Sequence, residues 1–361
     1  MNYDFAVVGD GPAGSYAAKN ASKEHDVALV GRGPKRMQCA GLISSSGLER
    51  IGVKPGDWVI NKIRGARIFS PNGVELLVDG GKTKAYAVDR IAFDRHLIDA
   101  ASDAGAEYVQ DWVSSLKGGI NLKSGATIKS TKTILASGTD YSLQREMGFD
   151  APTEFLIGGQ YEMNIECDPD FVELYFNVPD FFSWIIPVGD MARVGLCTKS
   201  NPRPHLDRFV KKLKQSGKIK SDKVLSESFG IIPVHNPKTK TQFGDVLTVG
   251  DAAGQVKAST GGGIILGCVA AQHATHPDYE QRWRAEIGSE LRLHLMIHRF
   301  LNRLSDSGKD RFLGVVADCT KSLQSSGDMD MASKTIYALL KNPRFLKGMI
   351  SNAPQIIKDI I

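Results

Sequence analysis

The chain has 361 residues, 42% of them hydrophobic and 24% charged, which excludes a disordered or collagenous chain and leaves room for two or three domain-sized units. Lys and Arg total 45 against 40 Asp and Glu, a formal charge of +5 with no clustered basic stripe. That balance speaks against nucleic acid as a partner and leaves room for a mild attraction to anionic lipid surfaces.

Residues 4–8 read as a short buried strand, residues 9–14 as a glycine loop, and residues 14–22 as an Ala-rich helix. Residues 27–30 form a second buried strand. Residues 64–78 alternate around Pro71-Asn72-Gly73, the pattern of a β-hairpin. Residues 90–104 are helical, with Phe93, Leu97 and Ala101 on one face. Residues 107–109 and 133–136 are further strands, and residues 155–197 are a strand-dominated, aromatic-rich block. Residues 205–215 make an amphipathic helix, and residues 245–249 an apolar strand closing on Gly250-Asp251. Beyond Gly263 the chain turns helical, with one long helix over 282–303 and one or two shorter ones over 333–361. This order predicts an α/β protein with an α+β insert: a Rossmann-type nucleotide-binding domain from residues 1–62, 85–140 and 241–285, an inserted antiparallel β-sheet substrate domain from 63–84 and 141–240, and C-terminal helices from 286 to 361.

Cys39, Cys167, Cys197, Cys268 and Cys319 show no CxxC spacing, which argues against zinc and iron–sulfur sites and for a reducing interior. No signal-peptide pattern and no run of 18 apolar residues is present. The expected location is the cytoplasm, with peripheral attachment to a membrane as the sharper alternative.

Two glycine motifs carry chemistry. In Gly9-x-Gly11-x-x-Gly14 the first glycine permits the tight turn, the second lets backbone approach a pyrophosphate, and the third lets helix and strand pack closely. The helix start, at Pro12 and Ala13, then faces phosphate with bare N–H groups. The loop follows a strand and precedes a helix, the context that gives the motif meaning. The acidic residue expected at the end of the second strand is missing, since Val30 is followed by Gly31 and Arg32. Arg32 faces a 2′-phosphate or the adenosine moiety, or is a solvated loop residue. In the second motif, Gly250-Asp251 follows a strand and the triplet Gly261-Gly262-Gly263 opens a helix at Ile264. Asp251 is placed to accept hydrogen bonds from a ribityl or ribose hydroxyl. Two such loops at the two ends of a discontinuous domain suit FAD better than NAD.

The Gly9–Gly14 loop, Cys39-Ala40-Gly41, Arg90-x-x-Phe93-Asp94 and the 250–263 stretch together resemble the FAD-dependent geranylgeranyl reductases of archaeal ether-lipid and chlorophyll synthesis, within the p-hydroxybenzoate hydroxylase fold group. The resemblance covers roughly residues 3–300. It implies that Gly9, Gly11 and Gly14 hold the FAD pyrophosphate, that Arg90 lies beside the cofactor, and that Asp251 holds its ribityl chain. It also implies that Gly261–Gly263 run beside the isoalloxazine ring, and that Cys39, Ala40 and Gly41 lie on a loop near flavin and substrate. Phe182-x-Trp184-x-x-Pro187 matches the family's Tyr-x-Trp-x-Phe-Pro substrate motif at Trp184 and Pro187, with Phe182 in place of Tyr and Ile186 in place of Phe. Ser137 stands where the family has Asp after the strand at 133–136.

The implied activity is saturation of C=C bonds of geranylgeranyl chains on archaeal-type ether glycerolipids, by hydride from flavin N5 and a proton from Cys39 or an ordered water. The electron donor is NAD(P)H or ferredoxin. An FAD-dependent monooxygenase of a small aromatic, and a non-catalytic lipid-binding relative, are the alternatives.

Several residues keep two readings. Cys39 is a proton donor or a small buried hydrophobe. The aromatics Phe171, Tyr175, Phe176, Phe181, Phe182 and Trp184 line an isoprenoid groove or form sheet core, with Trp184 the best groove candidate. Lys257 stabilises a reduced flavin or lipid phosphate, or is a surface lysine. His294 and His298, four apart on a helix, are taken as a solvated or packing face because no third ligand accompanies them. The segment from Phe345 to Ile361, with Lys347 and Lys358 among Leu346, Met349, Ile350, Ile356 and Ile357, packs on the body or touches a membrane.

Overall fold

Parallel strands covered on both faces read as unbroken apolar runs. The strand Asn2–Val8 (β1) contains such a run at Phe5–Val8, the strand Val27–Gly31 (β2) is one throughout, and the two pair in parallel. The computed structural model describes residues 2–34, 38–219, 221 and 223–360. Met1, residues 35–37, Lys220, Asp222 and Ile361, which fall within the expected domains and the expected C-terminal segment, lie outside the described residues.

The chain divides into two compact units. The first takes Met1–Met37, Arg90–Phe155 and Ile232–Arg292. Its sheet runs in the order Gln242–Phe243, Val246–Thr248, Thr127–Leu135, β1, β2, Glu107–Gln110, parallel along this path except at the Gln242–Phe243 edge, with Ile120–Leu122 and Val113–Ser115 added as an antiparallel branch on Thr127–Leu135. The helix Pro12–Ala21 (α1) leaves the glycine loop after β1 and buries Tyr16, Ala17, Ala18 and Ala21. Small side chains on that face let the helix lie close to the sheet. One face of the sheet closes over Ala6, Val8, Ala28, Val30, Leu135 and Leu143.

The second unit takes Gln38–Asp89, Leu156–Ile231 and Leu293–Ile361. Its main sheet has the order Val224–Pro233, Phe155–Met163, Met191–Thr198, Ser183–Val188, Phe171–Tyr175, Gly65–Phe69, Glu75–Asp79. The expected hairpin is the last pair, closed at Pro71-Asn72-Gly73. A three-stranded sheet of Leu42–Ser44, Ala85–Val88 and Val59–Ile63 lies in the same unit. The amphipathic helix Arg203–Gln215 covers one face of the main sheet, packing Leu206, Phe209, Val210 and Leu213 on Ile185, Val194 and Leu196.

These borders differ from those expected. Residues 38–62 group with the β block because Leu42–Ser44 and Val59–Ile63 both pair with Ala85–Val88. The helices after Leu293 form no third region, since Leu313, Val316, Leu339 and Phe345 share a core with Leu76 of the hairpin. The long helix expected over 282–303 is three consecutive pieces, Tyr279–Trp283, Arg284–Gly288 and Ser289–Arg303. Its middle piece is a π turn at Arg284, whose guanidinium bonds the carbonyls of Pro237 and Thr239.

Strand alternation sends Ile185 to the helix-covered face and Trp184 to the other. Trp184 pairs with Gly195, and a Cβ at Gly195 falls 2.4 Å from the indole, which lies flat across that glycine. Gly195→Ala is therefore expected to push Trp184 out of place at a cost of about 1–3 kcal/mol. Thermal unfolding together with indole fluorescence checks this: a lower midpoint with a shifted emission maximum is the expected pair of changes.

Candidate functional site

In the first unit the two glycine motifs meet. Gly9 has φ +112°, and a Cβ there would sit 2.2 Å from the Ala136 carbonyl oxygen. A Cβ at Gly14 would sit 1.9 Å from the Gly9 carbonyl oxygen. The turn therefore folds tightly onto itself and onto the strand Thr127–Leu135, while a Cβ at Gly11 would meet nothing within 4 Å. Space thus opens above the start of α1. Pro12 is at its first position and no side chain caps it, so the N–H groups at Ala13 and Gly14 face that space. Gly250 lies against Ala13, 2.9 Å from Cβ to Cβ if a side chain is added, and Gly267 lies against Gly250. Backbone contact thus holds the second motif beside the first.

Polar side chains pin the Gly250 loop from several directions. Gln255, fully buried, accepts from the Gly250 N–H at 2.7 Å and donates to the Tyr279 hydroxyl at 2.9 Å. That hydroxyl donates to the Thr248 carbonyl at 2.7 Å. Gln144 donates to the Ala252 carbonyl, and the Tyr141 hydroxyl to the Asp251 carbonyl. His235 Nδ1 lies 2.8 Å from the Gly254 carbonyl and so carries the proton, and burial pushes the His235 ring toward its neutral form.

Amid these bonds the Asp251 carboxylate accepts no hydrogen bond among the described residues. Burial raises its pKa above the ordinary carboxylate range, and the charge of Arg90 opposes that shift. Arg90 is held bidentate by Asp94 at 3.0–3.1 Å. A Cβ at Gly263 would be 2.6 Å from Asp251 Oδ1, so the carboxylate lies along the glycine triplet that precedes the helix Ile264–Ala271. Lys257 is buried, contrary to the surface reading, and its stem crosses Gly262, where an added Cβ would be 2.9 Å from Cε. Arg32 stacks its guanidinium 3.7 Å above the Trp112 ring. Ser137 donates to the Asp140 carbonyl at 2.7 Å. A hydroxyl-bearing chain entering here meets an unbonded carboxylate, and a pyrophosphate meets an open helix start: these residues fit a dinucleotide of the FAD kind.

The remaining expected residues belong to the second unit. Cys39 is half-buried, and the Gly41 N–H points at its sulfur at 3.4 Å. The loop is held by Arg193, which sequence reasoning did not single out. Arg193 is 3% exposed, donates to the carbonyls of Ala40 and Val88 at 3.1 and 3.0 Å, and pairs with Glu162 at 3.2 Å. A Cβ at Gly41, whose φ is +66°, would be 2.4 Å from the guanidinium. The one available signal was a lone arginine in the apolar run of Met191–Thr198. Cys197 has its thiol pushed up by burial and by the proximity of Cys39.

Phe182 stacks on Phe181 at 4.1 Å and meets Phe176 and Trp184 edge-on. The Trp184 N–H donates to Gln160 at 3.0 Å, and Pro187 is buried with its carbonyl accepting from Asn61. Tyr175 instead stacks on Phe69 and contacts Phe209 on the helix-covered face, so it is core. His294 and His298 are buried packing residues, not a solvated face, and among the described residues no group of ligands suits a metal.

Asp251 is half-buried and accepts no hydrogen bond among the described residues, and a carboxylate whose charged form is disfavoured in this way destabilises the cofactor-free protein. Asp251→Asn is expected to raise the melting temperature of the flavin-free chain by about 1–3 °C at neutral pH. Because the folded-state pKa is raised, the gain should vanish at pH values below the ordinary carboxylate range, where both states are protonated. The same variant should bind FAD at least about 10-fold more weakly. Paired thermal scans and flavin titrations read both effects.

No protein-family model matches the chain. A digeranylgeranylglycerophospholipid reductase of Methanocaldococcus jannaschii is 30% identical, over 96% of this chain and 97% of that protein. Digeranylgeranylglycerophospholipid reductase 2 of Methanothermobacter thermautotrophicus is 29% identical over the full length of both. Among solved structures, a geranylgeranyl bacteriochlorophyll reductase-like protein of Thermoplasma acidophilum superposes with a TM-score of 0.83 at 23% identity, covering 97% of this chain and 99% of that one. The myxobacterial chondrochloren halogenase, an FAD-dependent halogenase, superposes at 0.66 with 16% identity, covering 96% and 99%. The fold is therefore that of these flavoproteins, and the chain belongs to the digeranylgeranylglycerophospholipid reductase family.

Proposed function

We propose that this protein is an FAD-dependent reductase that saturates the C=C bonds of geranylgeranyl chains on a glycerophospholipid. The observation that carries the reading is end-to-end similarity to reductases of that name, in a chain whose paired glycine loops and unbonded Asp251 form a flavin-dinucleotide cradle. Gly9, Gly11, Pro12, Ala13 and Gly14 hold the pyrophosphate, and Gly250 and Asp251 hold the ribityl chain. Arg32 flanks the adenosine half. Arg90, the triplet Gly261–Gly263 and Ile264 flank the flavin half. When bound and reduced, FAD supplies a hydride to one alkene carbon.

The chain's own residues do the rest. Trp184, with Phe182 edge-on beside it, gives the isoprenoid an apolar, water-poor surface, whereas Pro187 shares the strand parity of Ile185 and pairs with Ala192 on the helix-covered face, so it takes no part in that surface. Cys39 Sγ holds the proton for the second alkene carbon, on a loop that Arg193 keeps from shifting. The alkene has no carbonyl to polarise it, so a proton source of fixed position matters more here than in reduction of an activated alkene. The reducing electrons come from NAD(P)H or ferredoxin.

The test is anaerobic: reduce the flavin-loaded protein with dithionite, remove the excess, add a geranylgeranylated glycerolipid, and follow flavin absorbance and lipid mass. Flavin reoxidation with two hydrogens gained per bond is the expected result. Reduced flavin with unchanged lipid, together with oxygen consumption on a small aromatic, would instead favour a monooxygenase. A colourless protein carrying lipid would favour a non-catalytic binding role. Cys39→Ala should slow the lipid step by about 100-fold, in the range of general acid catalysis, while FAD affinity stays within about twofold.

A lipid substrate has to be drawn from a membrane. No described helix is long and apolar enough to cross one. The helix Pro343–Ile360 buries Phe345 and Ile356 yet leaves Leu346, Ile350 and Ile357 exposed, with Arg344, Lys347 and Lys358 around them. The neighbouring helix Ala332–Leu340 exposes Tyr337 and Leu340. This apolar face with a basic fringe suits peripheral contact with anionic lipid. Ile350→Glu should lower co-sedimentation with anionic phospholipid vesicles several-fold and leave the melting temperature within about 1 °C, because Ile350 is 74% exposed.

A further inference from the structure

Dinucleotide folds of this type place a carboxylate at the end of the second strand to bind the adenosine ribose. Here β2 ends in Gly31, which has no side chain. The space is not empty. A Cβ added at Gly31 would fall 2.1 Å from Asp10 Cγ, 2.3 Å from Asp10 Oδ2 and 2.4 Å from Asp10 Cβ. The side chain of Asp10, from inside the glycine loop, therefore occupies the volume where the side chain of residue 31 would lie. It is fixed there through one oxygen: Oδ2 accepts from the Gly33 N–H at 2.6 Å and from the Tyr108 hydroxyl at 2.9 Å. Burial and the Asp10 charge both push the Tyr108 hydroxyl up, so it stays a donor. Oδ1 accepts no hydrogen bond among the described residues.

From this juxtaposition we infer that Asp10 is the ribose-binding carboxylate of the FAD site, transferred from the strand end to the glycine loop, with Gly31 as its obligatory partner. The inference rests on the FAD reading. The two free lone-pair directions of Oδ1 accept from the 2′- and 3′-hydroxyls of the adenosine ribose. The Gly33 N–H and Tyr108 hold the carboxylate in place, as the backbone of a strand end would hold a side chain rooted there. The arrangement also gives a steric reason for the absent side chain at 31: a bulky residue there and an aspartate at 10 exclude each other.

The test uses the full-length, flavin-stripped protein, titrated by flavin fluorescence with FAD and with an FAD analogue whose adenosine ribose lacks both hydroxyls. The wild type should prefer FAD by about 10- to 100-fold, the range for hydrogen bonds to a charged group. Asp10→Asn should lose most of that preference. Gly31→Glu alone should bind FAD poorly because the two side chains collide, whereas Asp10→Gly with Gly31→Glu, which also removes the Asp10 Cβ that lies 2.4 Å from an added Cβ at 31, should regain both affinity and ribose preference. The double variant also guards against a folding artefact, since its recovery cannot come from a damaged chain. A wild type that binds both flavins equally, or an Asp10→Asn protein that keeps the preference, overturns the inference and leaves the FAD reading intact. A wild type that binds neither flavin overturns both.

Discussion

Contact between backbones with no side chain between them is the constraint on which the cofactor cradle depends. At Gly9 and Gly14 an added Cβ would fall within 2.2 Å of a carbonyl oxygen, and at Gly250 and Gly267 it would meet Ala13 or the Gly250 backbone at about 3 Å. The first helix can then start close to both the strand Thr127–Leu135 and the Gly250 turn, leaving its initial N–H groups with space instead of a cap. Any side chain at these points would force apart the elements that define the cradle. The Ala-rich face of α1 continues the same requirement deeper into the unit, where small residues keep helix and sheet close.

Against that tight backbone, polar side chains are distributed very unevenly. Gln255, Tyr279, Gln144 and His235 satisfy the loop from Gly250 to Gly254 almost group by group, as buried polar atoms require. Among the described residues Asp251, in the middle of that loop, is left without a donor and with its charged form disfavoured. Among the same residues the Gln144 Oε1 and the Thr248 hydroxyl beside the loop also lack partners, but Asp251 is the acidic group among these, which is why the proposed cofactor role falls on it. The second unit shows the complementary device. Arg193, nearly inaccessible, spends its donors on the carbonyls of Ala40 and Val88, so the backbone beside Cys39 has one position. Both cases use buried hydrogen bonds to fix a loop that carries a residue of the proposed site.

Much of this was legible in the sequence because it depends on local rules. The strand–glycine loop–helix–strand order at the start, the Pro71-Asn72-Gly73 hairpin and the amphipathic helix ending at Gln215 follow from periodicity and turn chemistry within a dozen residues. The Gly9–Gly14 loop and the stretch from Gly250-Asp251 to Gly261–Gly263 were legible as a pair because each follows a strand and leads into a helix. What escaped was set by partners distant in sequence. Residues 38–62 join the β block through pairing with Ala85–Val88, and no local pattern reports that. Arg193 braces a loop more than 150 positions earlier, and Asp10 fills the space over Gly31 from another segment. Lys257 lies in a polar stretch that reads as surface, yet its stem is drawn down over Gly262. The aromatic block was ambiguous for a further reason: alternation says that neighbours part to opposite faces, but only the Arg203–Gln215 helix decides which face is core.

The order of strands across the first sheet carries a consequence for how the chain is made. Val246–Thr248 pairs with Thr127–Leu135, which pairs with Asn2–Val8, so neighbours in space are separated by more than a hundred residues along the chain. As the polypeptide emerges from its N-terminus, the first glycine loop exists long before the strand and turn that complete its surroundings. The intervening β block must be accommodated before that sheet can close, and loop closure over such distances is slow. The cradle thus cannot be completed before residues 246–271 have been made, and a chain interrupted before Gly250 carries a nucleotide motif without its second loop.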